Sequence, residues 1–275
     1  MRATFHRIVI FFRDGILPWN MRNGPSLTGV LWSVGATFKR IAMALLAVAV
    51  VLGPSVTTLW VSTPSGADVQ ARVEDLTHHY GIMLLGPGDI PATLAKAVVA
   101  TEDERFYTHH GIDSLGLARA LIYDVSNRCL CQGGSTITEQ LVKDVYLGGS
   151  DRGYSKLVDI ALAFKVERVL TKQQIMADYL SEITTGLGRR GVSAAACAYF
   201  QAPLQSLTLG QYALLAGVTQ APSVYDPTVD PELAEQRRAQ VLALMISENY
   251  ITPAEALAAN AEPVLVTGGQ PNPTC

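Results

Sequence analysis

Ile41 to Val61 is a run of 21 residues without one charged side chain. About 20 apolar residues in a helix cross the hydrocarbon core of a bilayer, and a lone segment there can satisfy its backbone N–H and C=O groups only as a helix. The flanks set its direction. Arg2, Arg7, Arg13, Arg22, Lys39 and Arg40 against Asp14 alone give residues 1–40 a net charge of +5, while residues 62–275 carry −8. Basic flanks stay cytoplasmic, so residues 1–40 are expected inside as a basic tail, 41–61 spanning once, and the acidic remainder outside. Lys39 and Arg40 mark one edge of the span and Trp60 the other. A cleaved signal peptide would start earlier and run shorter, although Ser65-Gly66-Ala67 resembles a cleavage site. A buried core helix would not explain the charge split. The overall charge of −3 argues against nucleic acid as a partner.

Residues 62–88 mix Pro, Gly, Ser and short apolar runs and read as a connector. From Asp89 the pattern becomes helical. Asp89 and Pro91 open a helix whose stripe is Leu94, Ala97, Val98 and Thr101, with Glu102 at its C-terminal end. Asp113 caps a second helix through about Ile122. Thr171 with Gln174, Thr208 with Gln211 and Thr252 with Glu255 have capping-box spacing, and Asp230-Pro231 is a further start. No period-two run is long enough for a sheet. The expectation is a mainly α-helical domain over 89–260, followed by a tail, 261–275. Cys129, Cys131, Cys197 and Cys275 lie on the external side, where a disulfide is permitted. Cys129 and Cys131 are too close for an ordinary bridge, the spacing fits no zinc pattern, and the cysteines read as small buried or loop residues.

Three constellations carry chemistry. The first is Glu102-Asp103-Glu104-Arg105-Phe106-Tyr107-Thr108-His109-His110-Gly111, a carboxylate ending an apolar segment. Partial burial would raise the pKa of Glu102 and suit it to general-base work; a solvated acidic turn is the plain alternative, and His109 reads as a hydrogen-bonded structural residue. The second is Gly133-Gly134-Ser135-Thr136-Ile137-Thr138-Glu139-Gln140-Leu141-Val142-Lys143. A helix opening after Gly134 puts Thr136, Gln140 and Lys143 on one face, and its N-terminal N–H groups together with Lys143 could hold an anion such as pyrophosphate. A base beside a phosphate site suggests transfer from a phosphate-activated donor. The third is Arg152, Lys156 and Asp159 at i, i+4, i+7, with Leu157, Ile160 and Phe164 on the apolar side. On periodicity alone it is an ordinary intrahelical ion pair.

Taken in order, these strings resemble the motifs of glycosyltransferase family 51, the peptidoglycan glycosyltransferases, from about Asp89 to Thr252. Gly133, Ser135, Thr136, Gln140 and Lys143 match the second motif; Asp144 replaces its usual asparagine. Members carry Arg-Lys-x-x-Glu in the third, where this chain has Ser155-Lys156-Leu157-Val158-Asp159. In the fourth, which continues to Gly186, Lys172, Ile175, Tyr179 and Leu180 fit, while Ala177 and Ser181 replace glutamate and asparagine. Arg237, Val241, Leu242 and Met245 match the fifth. Motifs four and five read as fold markers, and Tyr179, Val241, Leu242 and Met245 as core.

The resemblance implies a lysozyme-like, mainly helical fold behind one N-terminal transmembrane helix, single-pass in a bacterial cytoplasmic (inner) membrane with the domain in the periplasm. It implies a monofunctional enzyme that polymerises lipid II into β-1,4 glycan with release of undecaprenyl pyrophosphate. Glu102 and Asp159 would be catalytic; Asp103, Phe106, His109, Ser135, Thr136, Gln140, Lys143, Arg152 and Lys156 would bind substrate. No metal ligand is read from the residues, although family members often use a divalent cation, Mg or Mn, at the donor pyrophosphate. Partners would be lipid II, the growing glycan and cell-wall synthesis proteins. Two other classes stay open: a non-catalytic lipid II-binding or scaffold relative, supported by Ser155, Asp159, Ala177 and Ser181, and a lysozyme-like glycan-cleaving enzyme, which would have no pyrophosphate to hold.

Overall fold

The structure, a computed structural model, describes residues 27–129, 133–149, 153–186 and 188–264, with side chains from Lys39 onward. The chain divides between Thr58 and Leu59 into two compact units. The first is dominated by helix α1, Leu27–Ser62, which begins before the expected span and continues past the unit boundary. Its stretch Lys39–Ser62 is long and apolar enough to cross a membrane, with a mean hydropathy of 2.1. Pro54 lies inside it. The hydroxyls of Ser55 and Thr57 donate back to Val51 O at 2.9 Å and Gly53 O at 2.8 Å, so these polar groups are satisfied within the helix itself.

Among the described residues the second unit is built from helices: α2 Val69–Tyr80, α3 Ala92–Glu102, α4 Ser114–Asn127, α5 Ile137–Leu147, α6 Tyr154–Val166, α7 Lys172–Glu182, α8 Val192–Phe200, α9 Leu209–Val218, α10 Pro231–Ser247 and α11 Pro253–Asn260. Among the described residues β structure is confined to isolated bridges, as the lack of period-two patterning predicts. Two packing groups share one core. Helices α3, α9 and α10 pack together, α5 packs on α6 and α7, and α8 touches both α7 and α9. Tyr179, Tyr199, Phe106, Leu94, Leu141 and Leu162 are its largest fully buried side chains.

Most helix starts are where their caps put them. Asp113 accepts from Gly116 N at 2.9 Å, and α4 runs on to Asn127, beyond the expected Ile122. Reciprocal boxes form at Thr208/Gln211 and Thr252/Glu255. At Thr171 only half of one forms, because Gln174 Nε2 donates to Asp178 Oδ1 at 2.9 Å. The stretch read as a connector, 62–88, holds α2, which buries Val69, Val73 and Thr77 against the core and packs on α5 and α7. The reading of isolated cysteines is also replaced: Cys129 and Cys197 are both disulfide-bonded, with Cys131 and Cys275 outside the described residues.

Two features position the site. Gly111 has φ +86, and a Cβ there would approach Phe164 N at 2.8 Å, so the loop after α3 can lie on α6 only with glycine at this point. Helix α4 buries only Ala120 and leaves Leu115, Leu121, Ile122 and Val125 at least 63% exposed.

Candidate active site

Glu102 is the last residue of α3. Gln140 Nε2 of α5 donates to its Oε2 at 2.9 Å, and Tyr179 OH of α7 donates to Gln140 Oε1 at 3.2 Å. Oε1 of Glu102 is shielded from water and accepts no hydrogen bond from the described residues. Burial is the main effect on this carboxyl and raises its pKa above the usual range; the Gln140 bond and the Arg237 and Lys143 charges oppose that, and Asp103 adds to it. A carboxylate whose pKa is raised by burial while one oxygen is held by an amide has the protonation chemistry of a general base.

Asp103, Phe106 and His109 lie behind Glu102. Asp103 is 6% exposed. His109 Nε2 lies 2.9 Å from its Oδ2, and Ile137 N donates to the same oxygen at 3.0 Å. Phe106 is fully buried with the Lys172 ammonium 4.5 Å from its ring centre. Lys172 Nζ donates to Glu167 Oε1 at 2.6 Å, as does Thr138 Oγ1. This network ties the loop after α3 to α5 and to the start of α7. Phe106 is fully buried within it, whereas Asp103, although 6% exposed, lines the cleft beside Glu102; His109 is held against Asp103.

The expected anion site at the start of α5 is already filled by the chain's own groups. Thr136 N donates to Glu139 Oε2 at 2.9 Å, Glu139 N to Thr136 Oγ1 at 3.1 Å, and Ile137 N to Asp103. The Thr136 hydroxyl itself donates to Gly111 O at 2.7 Å. These donors of the helix start are satisfied internally, and Thr136, which caps the helix, also lines the cleft.

The positive groups lie instead on side chains. Lys156 Nζ of α6 is 2.8 Å from Glu139 Oε1 and 4.0 Å from Asp159 Oδ2, and donates to Ser135 Oγ at 2.9 Å. Asp159 is 1% exposed. Ser135, Gly133 and Gly134 line one cleft with Glu102, Gly116, Arg119 and Ala120, which joins the base to the Lys156 group. A Cβ at Gly133 would meet nothing within 4 Å, in keeping with its place in the open cleft. Lys143 takes part in none of the ion pairs among the described residues, yet its charge acts on Glu102, Asp144 and Glu182. Arg152 lies outside the described residues.

Four participants were missed or misjudged in the sequence. Arg237, taken as a fold marker, is 6% exposed and is the strongest cationic influence on Glu102. Tyr179, taken as core, reaches Glu102 through Gln140. Glu139 ties the cap of α5 to Lys156. Glu182, fully buried, pairs with Arg190 at 3.1 Å. Glu139 had a local signal, its capping-box spacing from Thr136, and Tyr179 and Arg237 had only their motif matches. The departures at Ala177 and Ser181 fall in the buried interior of α7, where Ser181 Oγ donates to Ala177 O at 2.7 Å and accepts from Leu85 N at 2.9 Å.

The sequence profile of the Transglycosylase family matches residues 75–246. Penicillin-binding protein 1A of Vibrio cholerae is 44% identical over 177 residues, 64% of this chain and 22% of that protein. A candidate transglycosylase of Cupriavidus necator is 41% identical over 177 residues, 64% of this chain and 76% of its own length. The crystal structure of penicillin-binding protein 1A from Haemophilus influenzae aligns with a TM-score of 0.41 at 25% identity, over 68% of this chain and 18% of that one. The chain thus matches about a fifth of the length of these penicillin-binding proteins.

Proposed function

The chain belongs to the transglycosylase family, and from that premise we propose that it is a peptidoglycan glycosyltransferase that polymerises lipid II. One observation carries this reading: Glu102 holds one carboxylate oxygen against Gln140 and leaves the other without a donor, in a cleft shared with Ser135 beside Lys156. The Glu102 carboxylate takes the proton of the acceptor's sugar 4-hydroxyl as the hydroxyl oxygen attacks the donor's anomeric carbon. The C–O bond to the lipid pyrophosphate breaks on the opposite side, the configuration inverts, and a β-1,4 linkage forms. Lys143 and Lys156 meet the charge growing on the leaving pyrophosphate. Asp159, 4.0 Å from Lys156 on the same helix, is the second catalytic carboxylate of this reading.

A divalent cation such as Mg or Mn at the donor pyrophosphate would take most of its ligands from the phosphates and water, and no step here is routed through one. A lipid-linked substrate suits the exposed apolar face of α4, which also contributes Gly116, Arg119 and Ala120 to the cleft. The apolar helix and the +5 tail favour anchoring in the cytoplasmic membrane with the N-terminus inside.

The test is polymerisation of lipid II in detergent by wild type and Glu102→Gln. A positioned base contributes roughly 10²–10⁴-fold, so the variant should fold normally and lose activity by that factor. Normal polymer from the variant removes Glu102 from the chemistry. A wild type that binds lipid II and yields no glycan overturns the enzyme reading in favour of a binding protein.

A further inference from the structure

Tyr179 is fully buried in α7, at a position that packing alone would explain. Its hydroxyl, however, reaches a functional group 39 residues away in sequence, the amide oxygen of Gln140. The three groups form a chain of one polarity. A carboxylate accepts only, so Gln140 must turn its NH₂ toward Glu102; its oxygen then faces Tyr179, which must donate.

We infer that Tyr179 is a positioning residue for the proposed base, acting through Gln140 to fix the orientation of the Glu102 carboxylate. With the phenol in place, the flipped amide would trade a good hydrogen bond for two facing acceptors, so the donor toward Oε2 is locked. Oε2 stays held by an N–H, and that bond sets the plane of the carboxylate at the cleft. Without the hydroxyl, nothing else in the chain of contacts fixes the amide. The inference rests on the reading of Glu102 as the base, and its test separates the two.

The charged and titratable groups facing Glu102 are Asp103 beside it, Lys143 on α5, Tyr179 on α7 and Arg237 on α10. Tyr179→Phe removes one oxygen and none of these charges apart from its own neutral phenol. Polymerisation by Tyr179→Phe, Gln140→Ala and the double variant should be measured across pH. One lost hydrogen bond corresponds to a fall in kcat of roughly 3- to 10-fold, with KM little changed. The Gln140 bond lowers the carboxyl's pKa, so loosening it should move the acid limb of the profile to higher pH. In the Gln140→Ala background, Tyr179→Phe should add nothing, which a purely structural defect would not reproduce.

A second readout does not need activity. The Glu102 carboxylate band, assigned by infrared difference against Glu102→Gln, should titrate at higher pH in Tyr179→Phe than in wild type. An unmoved band, an unmoved acid limb, or losses that multiply in the double variant would each overturn the inference. A shifted band in a protein that makes no polymer would uphold the positioning chain and reject the base assignment.

Discussion

Glu182→Gln should stabilise this protein at neutral pH, against the expectation that removing half of a salt bridge weakens a fold. Glu182 ends α7 fully buried; Arg190 Nη1 reaches its Oε2 at 3.1 Å, and its Oε1 has no donor among the described residues. Burial pushes its pKa well above the ordinary 4.5, with Asp144 adding and Arg190 and Lys143 opposing. A folded-state pKa above the unfolded one means that stability is fully present below pH 4.5 and is lost as pH rises toward the folded value. Each pH unit in that window is worth up to about 1.4 kcal/mol. The interval from 4.5 to 7 therefore sets a ceiling of about 3.4 kcal/mol on the cost at pH 7, however high the folded pKa lies. Glutamine has no charge to desolvate and keeps an oxygen for Arg190, which also donates to Glu182 O at 3.3 Å and stacks on Tyr80. Its buried NH₂ lacks a partner and costs about 1–2 kcal/mol. The net gain at pH 7 is therefore at most about 1–2 kcal/mol, a rise in Tm of up to roughly 2–8 °C for a body of this size. At pH 4.5 the gain should vanish or reverse. Thermal and urea unfolding at both pH values check this. A variant less stable than wild type by the same amount at both would refute the reasoning, because it would show the ion pair outweighing desolvation.

Two more predictions concern stability. Burial raises Asp178 to about 6 from 3.8, so wild type should lose ~2–3 kcal/mol as pH rises from 4 to 7 on its account; Asp178→Asn keeps an acceptor for Gln174, and urea midpoints should show that slope reduced. Glu139→Gln retains an acceptor for Thr136 N and gives up the Lys156 ion pair, whereas Glu139→Ala gives up both. Chemical denaturation should find the alanine variant about 1–2 kcal/mol the less stable of the two, and equal midpoints would mean the capping box contributes nothing.

What could be read from the sequence was local. A cap and the helix it opens lie within four residues, so Asp113, Thr171, Thr208, Asp230 and Thr252 announced their helices without any knowledge of the fold. The 21-residue uncharged run and the charge split around it are likewise properties of a segment and its flanks. The end of the apolar stripe at Glu102 and the spacing of Lys156 and Asp159 belong to the same class. Helix α2 escaped because its buried face, Val69, Val73 and Thr77, is short and interrupted by charge. Its helical form follows from packing on α5 and α7 more than from intrinsic preference.

The tertiary structure alone decided which groups meet. Glu102 and Gln140 are 38 residues apart, and Arg237 lies on a helix seven elements later in the chain. No periodicity reports such a pairing, since it depends on how α3, α5, α7 and α10 pack. The same holds for the start of α5. Sequence rules see free N–H groups that could bind a phosphate; only packing brings Asp103 to Ile137 N and leaves the lysine side chains to supply the positive charge. Whether a carboxylate is a base, a cap or half of a buried pair follows from the dielectric and the donors around it, and those come from residues distant in sequence.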